Sequence, residues 1–279
     1  MIYEIRELQY TYPSGKKPVL RGLDLDVGEG EIVSILGRNG AGKSTLLGCM
    51  LGLLKPQSGT LLLGGREIGQ MSEREIATAA GYVPQVHVPS FGFSVMEFVL
   101  MGCAQKIGLF SRPGKPERED AGAALSQLGI GALADKPYTE ISGGERQKAM
   151  IARAIVSRPQ AVLFDEPTAH LDFGSQLLVL RIIKSLAQEG YSVVITTHNP
   201  DHALMLDATI ALLGAHDEPD AQASKDSSVS GDTPAHLLIG QASEVLTSEV
   251  LSRTFNTDLT VTYSPELDRS SVHMTSLDT

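Results

Sequence analysis

Apolar residues along this chain fall in short unbroken runs. Ile32–Leu36, Ala161–Phe164 and Ser192–Thr197 each read as a strand buried on both faces, followed by a polar or glycine-bearing turn and a helix-like segment. That repetition predicts an α/β fold with a mainly parallel core sheet, whose functional residues gather at the carboxyl ends of the strands. The front of the chain has a different rhythm: Ile2–Tyr12 and Pro18–Val27 read as an antiparallel β flap, and Thr60–Leu63 as a further edge strand. Ser72-Glu-Arg-Glu75 has capping-box spacing and opens a short helix. From Phe91 to Ile141 the period becomes helical, with Ser94–Ala104 and Pro116–Leu128 on either side of a turn-rich stretch at 110–114. These features predict a helical subdomain over about 91–150, set into a core built from about 1–90 and 151–262. Gly214–Pro234 is rich in Asp, Ser and Ala and is expected to be a mobile loop, bounded at about 214–235. Hydrophobic residues return at His236–Gly240 and in two short helices, Ala242–Leu246 and Ser248–Phe255, after which 263–279 is expected to be a flexible tail.

Composition narrows the picture. The 279 residues are 42% hydrophobic with mean hydropathy at zero, enough for one large core or two modest ones. No apolar run approaches the roughly 18 residues of a membrane span. The opening Met1-Ile-Tyr-Glu-Ile-Arg6 lacks the basic region and apolar stretch of an export signal, and Cys49 and Cys103 have no metal-like spacing, so both thiols are expected to be buried in a reducing cytosol. A net charge of −10 argues against non-specific nucleic-acid binding, since no basic stripe is present to displace counterions from phosphates.

The chemistry begins at Gly37-Arg38-Asn39-Gly40-Ala41-Gly42-Lys43-Ser44-Thr45, between the strand Ile32–Leu36 and a helix-like run, Leu46–Leu51. Glycines there let backbone N–H groups turn toward a polyphosphate, the helix offers its positive end, and Lys43 adds a mobile point charge, so the segment is a phosphate-binding loop. Downstream, the strand Ala161–Phe164 ends in Asp165 and Glu166. In a nucleotide site the first carboxylate holds Mg²⁺ through water together with the Ser44 hydroxyl, and the second faces the γ-phosphate as the candidate general base. Ile141-Ser142-Gly143-Gly144-Glu145 places Ser142 as an N-cap, with Glu145 at the capping-box position and two glycines in the first turn. In a helix interior each glycine costs about 1 kcal/mol, so their use here is to bring bare N–H groups to an anion.

These motifs, in this order, resemble the ATP-binding subunit of ABC transporters over roughly residues 2–213, and more loosely over 236–262. The resemblance implies a P-loop ABC ATPase fold, with Gly37–Thr45 as Walker A, Asp165 and Glu166 as the end of Walker B, and Ile141–Glu145 as the signature. It makes Gln85 the Q-loop residue, beside Ser44 and Asp165 at Mg²⁺, Ala169–Asp172 the D-loop and His198 the switch histidine. Tyr12 corresponds to the aromatic that stacks on adenine, although Tyr10, two residues away on the same strand face, leaves a core role open. The family's usual signature glutamine is Glu145 here, and its carboxylate is expected to turn back onto its own cap.

By the same resemblance, two copies sandwich two ATP molecules, Ser142 and Gly144 of one chain contacting the γ-phosphate held by Lys43 of the other. Glu166 activates water and His198 orients it. The segment Val86–Phe93 is expected to dock a cytoplasmic helix of a polytopic membrane permease. Phe91–Gly102, Gly108–Pro113 and Thr168–Gly174 resemble the ATPases that power uptake of iron-siderophores, haem, cobalamin, and molybdate or tungstate. That implies a type II importer subunit, peripheral on the cytoplasmic face of the membrane and served by an extracytoplasmic substrate-binding protein. The alternatives are an exporter ATPase or a soluble ABC ATPase in translation or repair. The soluble alternative is disfavoured by a single cassette without a heptad run, and a GTPase by the lack of an Asn-Lys-x-Asp segment.

Overall fold

The computed structural model describes residues 1–15, 17–85, 92–107, 111–214, 237–266 and 269–275. Two expectations fall outside it: the proposed docking stretch up to Phe91, and the loop after Gly214.

The chain opens with β1 (Tyr3–Tyr10) and β2 (Leu20–Val27), then enters the core with β3 (Ile32–Leu36) and α1 (Lys43–Met50). It returns to the flap with β4 (Ser58–Leu63) and β5 (Arg66–Glu67), and passes through α2 (Glu73–Ala79) into β6 (Ala80–Val83). The flap is an antiparallel sheet of order β2-β1-β4-β5. β4 is therefore interior and not an edge, because the two-residue β5 covers its outer side. The capping box at Ser72 forms as expected, with Ser72 Oγ accepting from the Glu75 N–H and Glu75 accepting from the Ser72 N–H.

The helical segment holds α3 (Val95–Leu100), α4 (Lys115–Gln127) and α5 (Gly143–Ile155). The helix expected through Ala104 loses its α geometry at Leu100 and tightens into a 3₁₀ segment, Met101–Lys106. Its apolar residues do not form a separate core. Val95, Phe98, Leu125, Tyr138 and Ile151 belong to one cluster with Val162, Phe164, Val193 and Ile195. Phe98 stacks on Tyr138, ring centroids 4.1 Å apart, and the Arg153 guanidinium lies over the Phe98 ring.

The core continues with β7 (Ala161–Asp165), α6 (Phe173–Gln188), β8 (Ser192–Thr197), α7 (Pro200–Leu206), β9 (Thr209–Leu213) and β10 (Leu237–Gln241). Its sheet has the order β10-β9-β3-β8-β7-β6, all parallel except the edge strand β10. Unbroken apolar runs follow from burial on both faces. In β7 and β8, Val162, Phe164, Val193 and Ile195 face the helical side, whereas Leu163 and Val194 face the cluster shared with α1 and the flap. Tyr3 locks that second layer by donating its hydroxyl to the Met50 carbonyl at 3.0 Å. Cys49 and Cys103 are buried and free, as expected.

The end of the chain departs from expectation. After α8 (Ala242–Val245) and α9 (Ser248–Phe255), β11 (Leu259–Ser264) and β12 (Arg269–Met274) pair as an antiparallel hairpin where 263–279 reads as a flexible tail. The polar-rich run Arg269-Ser-Ser-Val-His-Met274 has little apolar pattern of its own. It is ordered by the β11 ladder and by the Val272 N–H, which donates to Asp201 Oδ1 at 2.9 Å.

Candidate functional site

Strand order builds the site. β8 lies between β3 and β7, so the loop after β3, the acids ending β7 and the histidine after β8 emerge side by side. β6, next to β7, delivers Gln85 to the same edge.

The loop 37–45 wraps the start of α1. Gly40 and Gly42 have φ of +83° and +105°, angles that keep side-chain-bearing residues out, and Gly42 supplies the helix N-cap position. Lys43 is 5% exposed and folds back over the loop, its Nζ donating to the Gly37 carbonyl at 2.8 Å and the Arg38 carbonyl at 3.2 Å. The same ammonium lies 3.3 Å from Glu166 Oε1. Arg38, Asn39 and Gly40 are exposed at the loop tip. Tyr12 is exposed, sits edge-on to the buried Tyr10, and places its hydroxyl 3.0 Å from Thr45 Oγ1.

At the end of β7, buried Asp165 turns Oδ1 toward two hydroxyls: Ser44 donates at 3.2 Å and Thr196 at 2.6 Å. A carboxylate and a hydroxyl so placed form a hard-oxygen donor pair of the kind that suits Mg²⁺. Glu166 follows with φ of +43°, a conformation that turns its side chain out of the strand line. Its N–H donates to Thr196 Oγ1 at 2.9 Å. Three donors converge on its carboxylate: Lys43, His198 Nδ1 at 3.1 Å from Oε2, and the Gln85 amide at 3.5 Å from the same oxygen. The structure thus brings Gln85, Lys43, Ser44, Asp165, Glu166 and His198 into one cluster.

Ser142, Gly143, Gly144 and Asp172 stand apart from it. Ser142 caps α5, and Glu145 turns back to accept the Ser142 N–H at 2.8 Å, which draws its carboxyl below the ordinary carboxylate range. Asp172 caps α6 by accepting from the Ser175 N–H at 3.0 Å, and a Cβ on Gly144 would lie 3.4 Å from Ser175 Oγ, so the two helix tips adjoin. Among the described residues no hydrogen bond joins Ser142–Gly144 or Asp172 to the loop 37–45.

Sequence reasoning passed over Thr196, whose hydroxyl bonds both Asp165 and the Glu166 N–H, and over Thr168, Asn199 and His202, which hydrogen-bond one another. The only signal for Thr196 is its place two residues before His198, at the end of a buried strand. His202 is one of several apolar-face positions on α7.

Residues 20–169 match the family described as ABC transporter. A Helicobacter pylori protein named "probable iron chelatin transport ATP-binding protein" is 36% identical over 243 residues, covering 84% of this chain and 94% of its own. The Haemophilus influenzae molybdate import ATP-binding protein is 36% identical over 196 residues, 70% of this chain and 72% of that one. Relatives named for hemin import and manganese transport lie at similar identity. Among solved structures, a metal-chelate type ABC transporter in an inward-facing conformation has a TM-score of 0.80 at 28% identity, covering 99% of this chain and 97% of that one. ATP-binding subunits of such transporters work as dimers with membrane permease subunits. Among the described residues no helix is long and apolar enough to cross a membrane. With a family match over more than half of its length, this chain belongs to the ATP-binding subunits of ABC transporters, the ATPases that couple ATP hydrolysis to transport.

Proposed function

We propose that this chain energises a type II importer for a metal chelate or related substrate: an iron-siderophore, haem, cobalamin, or molybdate or tungstate. Its place is the cytoplasmic face of the membrane, against a permease that receives cargo from an extracytoplasmic binding protein. The observation that carries the hydrolytic part is the convergence of Lys43, Gln85 and His198 on the Glu166 carboxylate, beside the Ser44–Asp165 pair.

In this reading the loop 37–45 cradles the phosphates, with Tyr12 against the adenine, and Lys43 exchanges its loop carbonyls and Glu166 for phosphate oxygens. Glu166, released from that ion pair, accepts a proton from the attacking water while His198 orients it. Ser44, Gln85 and, through water, Asp165 would hold Mg²⁺, which when bound would neutralise charge on the phosphates. Ser142, Gly143, Gly144 and Asp172 complete the site of a second copy, a reading supported by the lack, among the described residues, of any hydrogen bond from these helix tips to their own phosphate loop.

For permease docking, support comes from a cleft of about 810 Å³ between the core and the helical segment, lined by Phe93, Leu100, Met101, Ile107 and Pro113. Phe93 and Met101 are 40% and 42% exposed there.

The test is Glu166→Gln on the purified chain with Mg-ATP. Hydrolysis should fall at least about 100-fold, the loss expected when a general base is removed, and light scattering should show an ATP-dependent dimer. Hydrolysis at the parental rate overturns the role of Glu166, and a monomer under all nucleotide conditions, permease present, overturns the two-copy site.

A further inference from the structure

His202 lies in α7, one turn beyond His198, and only 6% of it is exposed. Both ring nitrogens are engaged: Nδ1 is 3.2 Å from Thr168 Oγ1, and Nε2 is 3.2 Å from Asn199 Nδ2. The tautomer follows from the neighbours. Asn199 Oδ1 accepts from the Asp201 N–H at 2.9 Å, which caps α7 and leaves Nδ2 as the group facing the ring. That amide nitrogen can only donate, so Nε2 carries the lone pair and Nδ1 carries the proton, which it gives to the Thr168 hydroxyl. A doubly protonated ring would turn an N–H toward the Asn199 amide N–H. Burial also opposes the charged form and lowers the His202 pKa; of its charged neighbours, Asp201 raises it and His198 lowers it.

The two partners belong to the two segments that carry the hydrolytic pair. Thr168 lies inside the turn begun by Glu166 and closed by Ala169, whose N–H donates to the Glu166 carbonyl at 3.0 Å. Asn199 directly follows His198. The imidazole therefore ties the segment carrying Glu166 to the segment carrying His198, whose side chains meet at 3.1 Å. A leucine or methionine would fill the same buried volume without two polar atoms to satisfy, so a merely space-filling position has no need of histidine.

We propose that His202 is a positioning residue for ATP hydrolysis: as the neutral Nδ1–H tautomer it clasps Thr168 and Asn199, and thereby sets the separation of Glu166 from His198. The proposal rests on the reading that Glu166 and His198 carry the hydrolysis. Displacement of a reacting group by about 1 Å can cost on the order of 100-fold in rate, and that loss falls on turnover while nucleotide binding is spared.

The experiment compares His202→Leu, His202→Asn and Glu166→Gln, each in the full-length chain, with nucleotide binding measured separately from turnover. His202→Leu should lower kcat about 10- to 100-fold with the KM for ATP within about twofold, and His202→Asn, which keeps a donor toward Thr168, should recover part of the loss. In the unsubstituted chain, long-range ¹H–¹⁵N spectra at neutral pH should show a protonated Nδ1 and an unprotonated Nε2 at His202. This spectral reading stands even if His202→Leu does not fold. An Nε2–H or doubly protonated ring, parental kcat in His202→Leu, or a KM that rises as far as kcat falls overturns the proposal. If Glu166→Gln also hydrolyses at the parental rate, the underlying assignment is what failed. If Glu166→Gln is inactive while His202→Leu is not, only the positioning role falls.

Discussion

Thr196 is wholly buried, and its hydroxyl does two jobs: it donates to Asp165 Oδ1 at 2.6 Å and accepts the Glu166 N–H at 2.9 Å. Replacing it by valine keeps the shape and removes both bonds. The Glu166 N–H then lacks its acceptor, a loss of about 1–2 kcal/mol, and the Asp165 carboxylate loses a charge-assisted bond of about 1.5–3 kcal/mol. Because Ser44 still reaches Asp165 and the two losses share one site, they do not add in full, and the expected destabilisation is about 2–4 kcal/mol. Thr196→Ser does the converse. It keeps the hydroxyl and drops one methyl, about 0.8 kcal/mol of transfer plus a small cavity, roughly 1–1.5 kcal/mol in all. Urea unfolding of both variants should therefore give the order parent, serine, valine in falling stability. The valine variant should also need more Mg²⁺ for half-maximal ATPase, since the Asp165 carboxylate is then held by Ser44 alone. If valine is as stable as serine or more so, burial of the methyl decides the site and the hydroxyl argument is wrong.

The remaining predictions concern the periphery. Phe93→Asp combined with Met101→Glu should abolish co-purification with the permease while the isolated chain keeps its ATPase rate; assembly at the parental level would remove the cleft as the docking surface. Glu75 is held down to about 2 from 4.5, first by the Ser72 backbone N–H and then by Arg66 and the Ser72 hydroxyl. A folded value below the unfolded one means that its contribution is full above pH 4.5 and fades as pH falls toward about 2. The stability gap between the parent and Glu75→Gln should accordingly shrink over that window, and a gap that stays constant with pH would contradict the linkage.

Legibility from sequence followed how much each residue's own environment is local. β3, β7 and β8 were readable because strands buried on both faces must be apolar throughout, as Val162, Leu163 and Phe164 show with burial against two different layers. β6, with only Ala80–Val83, is too short and too rich in small residues to stand out, and its place is set by pairing with β7. β12 is the extreme case: its ladder to β11 and its bond to Asp201 supply what its own residues lack.

The site divides along the same line. The residues legible in the chain are those to which the proposed function assigns phosphate, metal or water, because that chemistry demands particular residue types at fixed spacing: glycines around Lys43, two acids at the end of a strand, a serine and two glycines at a helix tip. Thr168, Thr196, Asn199 and His202 touch none of these. Their demand is only that a hydroxyl, amide or imidazole stand at hydrogen-bond distance from another segment, and the distance is created by tertiary structure. Thr196 meets Asp165 because β8 lies against β7, with the two residues as register partners, and Thr168 meets His202 across 34 positions of sequence. A spacing rule along one chain has no means of encoding such a meeting. The supporting residues of this ATPase are consequences of strand order, and strand order is what converts a set of motifs into a single carboxylate contacted by a lysine, a glutamine and a histidine.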